Sequence, residues 1–188
     1  MIKFTRTQLA VAGTAAAVSV FAAVAVLLVY YFRNRKNSKQ TMDKKTTGAA
    51  GIALIKKFEG LKLSAYKPVV SEKYYTIGYG HYGADVKQDQ TITEAEAETL
   101  LKKDLATAEQ AVNSLGVALS QNQFDALVSF AYNCGTAAFL GSTLCKKVKA
   151  NSNDSTIADE FARWNKSGKT VLAGLTKRRA AESELYFA

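Results

Sequence analysis

The chain has few of the residues that hold metals or build disulfide frameworks. Its 188 residues include one histidine, His81, and two cysteines, Cys134 and Cys145. These are too few soft ligands for a Cys/His zinc site, so we expect neither a metal nor a cofactor. Any catalysis should therefore depend on carboxylates. The cysteines could form a disulfide in an exported domain or remain two unpaired thiols, which is the more common outcome.

A basic excess is also missing from most of the chain. The formal charge is +9, but residues 1–45 hold eight Lys and Arg against one Asp, which leaves +2 for the other 143 residues. That part has no strong electrostatic attraction for DNA or RNA, so nucleic acid is not an expected partner. Its length is that of one domain with a real core.

Charge is absent altogether from residues 9–32. As a helix these 24 residues would measure about 36 Å, enough to cross a hydrocarbon core of about 30 Å. Residues 1–32 are therefore predicted to be a transmembrane or signal-anchor segment that contacts the membrane. The alternative is a cleaved signal peptide, with "AVA" at 23–25 as the cleavage motif, although the apolar run continues past it to Phe32. Residues 33–48 are polar and basic, which predicts a flexible linker.

Helical spacing of Ile52, Ile55 and Phe58 predicts a short helix that stops at Gly60. Glu59 then lies at the C-terminal end of this helix, where the negative end of the dipole disfavours an ionised carboxylate. Surface acids at helix ends are mostly inert. A glutamate that keeps its proton near neutral pH is nonetheless what general acid catalysis needs.

After the helix, apolar and polar residues alternate, which predicts a pair of strands around a loop at 67–73. In an extended chain Glu72, Tyr74 and Thr76 share one face. If Ile77 packs inward, that face is turned to a cleft or to solvent.

Two capping boxes, Thr93 with Glu96 and Ser120 with Gln123, mark the starts of helices. The first box predicts one long amphipathic helix that ends near Gly116. Further helices are predicted within the segments 142–150, 156–164 and 175–187. The expected fold class is α+β, with a small β lobe followed by a larger helical lobe.

Five separated blocks carry a resemblance to a known family: "FEGLKLSAYK", "YYTIGYGHYGADV", "QFDALVSFAYNCG", "FLGSTL" and "EFARWNKSGKTVLAGLTKRRAAESELYF". In this order they resemble the phage-type lysozyme (endolysin, muramidase) family over residues 49–188. The resemblance implies a lysozyme-like domain that cuts the β-1,4 bond between N-acetylmuramic acid and N-acetylglucosamine in peptidoglycan, for host cell lysis. Peptidoglycan glycan chains are thus the expected partner, and nothing in the sequence indicates an oligomer.

The resemblance also implies roles for particular residues. Glu59 would be the general acid, and Thr76 would position the attacking water. The family normally has an aspartate nine residues after the glutamate and six before the threonine, but here those positions are Pro68 and Val70. Glu72, four residues before Thr76, is assigned the role of the second carboxylate. The alternative is an exposed loop glutamate paired with Lys73.

Three further residues are candidates for substrate binding. By resemblance, Asn133 and Ser142 would line the cleft and bind the N-acetyl sugars, and the alternative for each is a turn or cap residue. His81 is the third candidate, with a structural ion pair or hydrogen bond as its alternative. The basic run 177–179 should pair with nearby acids or lie on the solvated face of the last helix.

Two questions stay open at this point. The missing aspartate leaves room for a catalytically inactive lysozyme-like module that binds cell wall from a membrane tether. The orientation of the tether is the other question: Lys3 and Arg6 precede the apolar segment and four cations follow it, so the positive-inside rule would keep the domain in the cytoplasm. A wall-cutting enzyme instead needs its domain on the extracytoplasmic side, which is the localisation we expect.

Overall fold

Residues 44–188 are the part of the chain that the computed structural model describes, and they form one compact unit. The segment 1–32 and residues 33–43 of the linker lie outside it, so the predicted membrane segment is not among the described residues. Within residues 44–188, no helix is both long enough and apolar enough to cross a bilayer.

The elements that the sequence predicts occur in the predicted order, together with some that it does not predict. The helices are α1 Ala49–Glu59, α2 Glu94–Asp104, α3 Ala106–Asn113, α4 Gln121–Cys134, α5 Thr136–Gly141, α6 Thr143–Ala150, α7 Ile157–Ala162 and α8 Ala173–Phe187. The strands are β1 Lys62–Tyr66, β2 Tyr75–Gly78, β3 His81–Gly83, β4 Lys166–Ser167 and β5 Thr170–Val171. The α+β class is confirmed.

The β lobe is an antiparallel sheet in the order β1, β2, β3. Thr76 in the middle strand pairs with Tyr66 on one side and with Tyr82 on the other. Ile77 is fully buried, as the inward packing of alternate residues requires. The strand begins only at Tyr75, however, so alternation along β2 does not determine where the Glu72 side chain lies.

The helical lobe is built around α4, which packs against α8, α1 and α3. Residues 123–131 of α4 are all buried, because helices surround it on several sides. Phe130 lies at the centre of an aromatic cluster, with ring centroids 5.6 Å from Phe161 and 5.2 Å from Trp164. Both predicted capping boxes are present, at Thr93 and at Ser120.

The single long helix predicted from residue 94 to about 116 is wrong in detail. It is divided into α2 and α3 at Leu105, whose backbone stays near helical values with φ −68° and ψ −19°. The Leu105 amide still donates to the Leu101 carbonyl, and the Glu109 amide donates to the Leu105 carbonyl. The path therefore continues with a local distortion at a fully buried leucine. The short helix α5 and the β4–β5 hairpin were not predicted.

The end of the predicted flexible linker is attached to the domain. The backbone amide of Lys45 donates to Asn113 (3.0 Å), and that of Thr47 donates to Glu109 (2.7 Å). Residues 45–47, which the sequence assigns to the linker, therefore contact α3.

Candidate active site

Glu59 is the last residue of α1, as the sequence predicts. Gly60 follows with φ 72°, a value that favours glycine, and its amide donates to the Lys56 carbonyl and closes the helix. The Glu59 side chain is 23% exposed. A Cβ built on Gly80 would lie 3.9 Å from Oε2 of Glu59, so the turn between β2 and β3 comes close to the carboxyl group. Glu59 therefore lies where the helical lobe meets the sheet.

Arg178 contacts Glu59 directly. Its Nη1 donates to Oε1 of Glu59 at 2.7 Å, and the arginine side chain is only 4% exposed. The helix dipole disfavours a negative charge at Glu59, and this buried guanidinium opposes that effect. The sequence predicts only that Arg178 pairs with a nearby acid or lies on a solvated face, because the 119 residues between Arg178 and Glu59 leave no local pattern that identifies the contact.

Thr76 has a hydroxyl that is free to bind water. Its side chain is 6% exposed, and its hydroxyl makes no hydrogen bond to any residue of 44–188. The hydroxyl of a threonine with a purely structural role usually forms a hydrogen bond with a neighbouring backbone group, as the Thr99 hydroxyl does with the Ala95 carbonyl. Thr76 can therefore serve as a water-binding group.

Glu72 lies in the bend before β2 and is half-buried. Its amide donates to the Val69 carbonyl at 3.0 Å, which closes the turn after β1. Within the described part of the chain its carboxylate forms no ion pair, and the Lys73 ammonium lies 5.0 Å above the ring of Tyr74 instead. The alternative pairing of Glu72 with Lys73 is thus absent, and the carboxylate is available to another group.

Both ring nitrogens of His81 are occupied by carboxylates. Nδ1 lies 2.8 Å from Asp104 on α2, and Nε2 lies 3.2 Å from Asp85 just after β3. The ring is largely buried. These contacts tie the sheet to α2 and agree with the structural alternative for His81.

The hydroxyl of Ser142 caps α6. It accepts from the Cys145 amide at 3.0 Å and donates to the Phe139 carbonyl at 2.6 Å. Asn133, by contrast, is exposed at the end of α4. Its Oδ1 accepts from Arg179 at 2.8 Å, which leaves the amide nitrogen directed elsewhere. Asn133 is thus better placed to bind a ligand than Ser142.

Tyr132 is a neighbour of Glu59 that the sequence analysis did not single out. Burial, together with the nearby charges of Glu59 and Asp104, raises the pKa of its phenol to about 12. The phenol therefore stays protonated across the working range of a wall enzyme. Nothing in the sequence indicates that Tyr132 lies beside Glu59, because Tyr132 belongs to the same apolar helix as the core residues.

The two cysteines are free, Cys145 buried and Cys134 half-buried, and burial raises the pKa of each thiol. Cys134 accepts a hydrogen bond from Arg179 at 2.9 Å. Among residues 44–188 no group of three His, Cys, Asp or Glu side chains could hold a metal ion. A cavity of about 600 Å³ between α1 and α2 is lined by none of the candidate residues and is separate from Glu59.

Comparison with known proteins gives a consistent result. A family model described as "Phage lysozyme" matches residues 56–182. The endolysin of Bacillus phage PZA is 54% identical over 138 residues, which are 73% of this chain and 53% of that protein. The chain thus spans about half the length of that curated relative.

Two solved structures are similar along almost their whole length. One is a P22 lysozyme mutant, with TM-score 0.69, 38% identity, and coverage of 77% of this chain and 99% of that one. The other is the muramidase domain of SpmX from Asticaccaulis excentricus, with TM-score 0.68, 36% identity, and coverage of 76% and 98%. Each similarity covers about three quarters of this chain.

Proposed function

The chain belongs to the phage lysozyme family, and from this premise we propose that its domain is a muramidase. It hydrolyses the β-1,4 glycosidic bond between N-acetylmuramic acid and N-acetylglucosamine in bacterial peptidoglycan, in the service of host cell lysis. The observation that carries the proposal is the position of Glu59: a partly exposed carboxyl at the end of α1, beside the β2–β3 turn and against a buried arginine.

In the proposed reaction, protonated Glu59 gives its proton to the glycosidic oxygen as the bond breaks. The carboxylate that remains is stabilised by Arg178, whose Nη1 is already at 2.7 Å. Water attacks the sugar from the opposite face, oriented by the free hydroxyl of Thr76 and deprotonated by Glu72. This sequence of steps inverts the anomeric configuration, because no covalent sugar intermediate forms.

Three other residues complete the proposed cleft. Asn133 is exposed and has an amide nitrogen available to an N-acetyl carbonyl. His81 and Ser142 already use their polar atoms within the protein, so we propose that they hold the wall of the cleft in place. The reaction as proposed needs no cofactor, since carboxylates provide both the acid and the base.

A renaturing gel of the full-length chain, with peptidoglycan embedded in it, tests the proposal. We expect clearing by the parent and loss of clearing in Glu59→Gln and in Glu72→Gln. Glu184→Gln is the matched control, because Glu184 is exposed on α8 and forms no ion pair among the described residues. Clearing that survives Glu59→Gln in a folded protein would exclude Glu59 as the acid.

A second candidate function rests on the aspartate that Pro68 replaces. Without that aspartate, and with Glu72 outside the strand, the domain could bind the wall without cutting it. Sedimentation with insoluble peptidoglycan separates the two functions. A folded parent chain that sediments with the polymer but releases no soluble sugar, at any pH from 4 to 9, would favour the binding module.

The location of the enzyme is part of the same proposal. We propose that residues 9–32 tether a monomeric chain to the host membrane with the domain on the wall side, because the substrate lies there. Protease added to intact spheroplasts should then digest the domain, whereas full protection would place it in the cytoplasm. The mass of the purified chain in detergent, measured by light scattering, tests the monomer.

A further inference from the structure

Glu182 on α8 is an ionisable residue that the proposed reaction does not use, and it is fully buried. Its Oε1 accepts hydrogen bonds from the Ser129 hydroxyl at 2.7 Å, from Nε of Arg178 at 3.2 Å and from Nη2 of Arg179 at 3.1 Å. Nε of Arg179 also lies 3.0 Å from Oε2, although these two atoms lack the alignment of a hydrogen bond. Burial raises the pKa of this carboxyl, and the two guanidinium groups that surround it oppose that effect.

The same contacts determine how Arg178 faces the candidate active site. Its Nε is held by Glu182, its Nη2 donates to the Ser129 carbonyl at 3.4 Å, and its Nη1 donates to Glu59 at 2.7 Å. A guanidinium is planar and rigid, so fixing two of its nitrogens fixes the third. Glu182 and the backbone of α4 therefore set the direction from which the positive charge approaches Glu59.

Charge balance gives Glu182 a second effect on Glu59. The cluster contains two carboxylates, Glu59 and Glu182, and two guanidinium groups, Arg178 and Arg179. When both acids are ionised the four charges cancel. Without Glu182, the positive charges of the two guanidinium groups would exceed the negative charge of ionised Glu59 by one, with only Arg178 in direct contact with it.

Other titratable groups around Glu59 do not provide this balance. Tyr132 faces it from α4 and stays neutral, because burial raises the pKa of its phenol to about 12. Asp104 faces Tyr132 from α2 and is already bound to His81. The two lysines in the last turn of α1 are also engaged: Lys56 is paired with Glu94 and Glu98, and the Lys57 ammonium lies 5.8 Å from the centre of the Phe58 ring.

We propose that Glu182 is a positioning residue of the muramidase: it orients Arg178 toward Glu59 and neutralises Arg179, so that a single directed positive charge meets the acid. The inference rests on the proposed function, with Glu59 as the acid. Glu182 itself touches no substrate, and it acts only through the two arginines.

The inference predicts that two substitutions shift the pH dependence of kcat/KM in opposite directions. Glu182→Gln leaves one excess positive charge, which favours ionised Glu59, so the alkaline limb of the kcat/KM profile should move to lower pH by about 0.5 to 1 unit. Arg179→Gln leaves one excess negative charge, so the limb should move to higher pH. The double variant restores the balance and should return the limb to the parent position.

The experiment measures kcat/KM of the full-length chain in detergent against soluble peptidoglycan fragments from pH 4 to 9. Glu184→Gln, an exposed substitution on the same helix, should leave the limb in place. Circular dichroism establishes that each variant is folded. A general loss of structure would lower the whole profile for every variant, whereas a charge effect moves the limb in opposite directions. Loss of the Arg179 contact to Asn133 changes the height of the profile and not the position of its limb.

Limbs that move in the same direction in both single variants, or that do not move in either, overturn the inference. If Glu182→Gln does not fold, Arg179→Gln and the double variant decide, because the double variant removes two opposite charges together and leaves neither unpaired. A parent chain without activity at any pH contradicts the proposed function itself. An active parent with unmoved limbs contradicts only the role of Glu182.

Discussion

Asp125 on α4 accepts a hydrogen bond from the backbone amide of Gly51, in the first turn of α1, at 3.0 Å. Its other oxygen accepts from the Gly48 amide at 2.9 Å, so one buried carboxylate caps the helix that ends at Glu59. No side chain of the α1 segment itself provides a cap. The start of α1 is therefore fixed by a partner 74 residues away, and the negative charge lies at the favourable end of the helix dipole.

Asp125→Ala should lower the free energy of unfolding by about 2 to 3 kcal/mol, because the buried amide of Gly51 and the partly buried amide of Gly48 lose their acceptor. Urea denaturation followed by circular dichroism measures the change. Asp154→Ala is the control, since Asp154 caps an exposed turn through Thr156 and its loss should cost about 1 kcal/mol or less. Equal losses in the two variants would contradict the special role of Asp125.

Gly51→Ala should destabilise the domain, although alanine is the better helix former. A Cβ at Gly51 would lie 2.6 Å from Cγ2 of Thr47 and 2.8 Å from Cβ of Asp125, which is too close for either contact. We expect a loss of about 1 to 3 kcal/mol in the free energy of unfolding. Gly174→Ala on α8 is the matched control: a Cβ there meets nothing within 4 Å, so stability should rise by about 0.5 to 1 kcal/mol. A stabilised Gly51→Ala variant would show that α1 can move away from α4.

Local patterns in the sequence predict much of this fold. Thr93 and Ser120 were identified as caps because both halves of each box lie within four residues, and the structure has both boxes. Glu59 was placed at a helix end for the same reason, since Gly60 directly follows it. The end of a helix and the alternation of a strand depend on near neighbours and can be read from a single sequence.

The features that the sequence does not predict depend on contacts between residues that are far apart in the chain. Arg178 and Glu182 are spaced for an i, i+4 ion pair, but nothing local indicates that the pair is buried or that Arg178 reaches Glu59. The position of Glu72 is likewise not determined by the local sequence pattern. Alternation places Glu72 on the same face as Thr76 only if the strand reaches residue 72, whereas the strand begins at Tyr75, after a turn closed by the Val69 carbonyl.

The ion pair between Asp85 and His81 should make stability depend on pH in the acid range. The hydrogen bond from His81 lowers the pKa of Asp85 below its ordinary value. A carboxyl with a lowered pKa in the folded state stabilises the fold above its unfolded pKa of about 4, and this contribution is lost as the pH falls through the folded value. Asp85 is more than half exposed, so the contribution should be below about 1 kcal/mol.

Denaturation of the parent and of Asp85→Asn between pH 2.5 and 6 measures this dependence. The parent should be the more stable protein above about pH 4, and the difference should disappear at lower pH. Asp159→Asn changes an exposed acid that forms no ion pair among the described residues, and its difference from the parent should stay flat. A difference for Asp85→Asn that grows toward acid pH would contradict this prediction.

Thr76→Val separates the water-binding role of the hydroxyl from the packing of the side chain. Valine has nearly the same shape, and the hydroxyl bonds to no residue of 44–188, so the free energy of unfolding should change by less than about 1 kcal/mol. If the hydroxyl orients the attacking water, kcat should nevertheless fall by about 10² while KM stays close to that of the parent. Thr170→Val, an exposed strand threonine, provides the control and should leave both constants unchanged. Unchanged kcat in a folded Thr76→Val protein would mean that the attacking water is held by Glu72 alone, and a rise in KM with unchanged kcat would assign Thr76 to sugar binding.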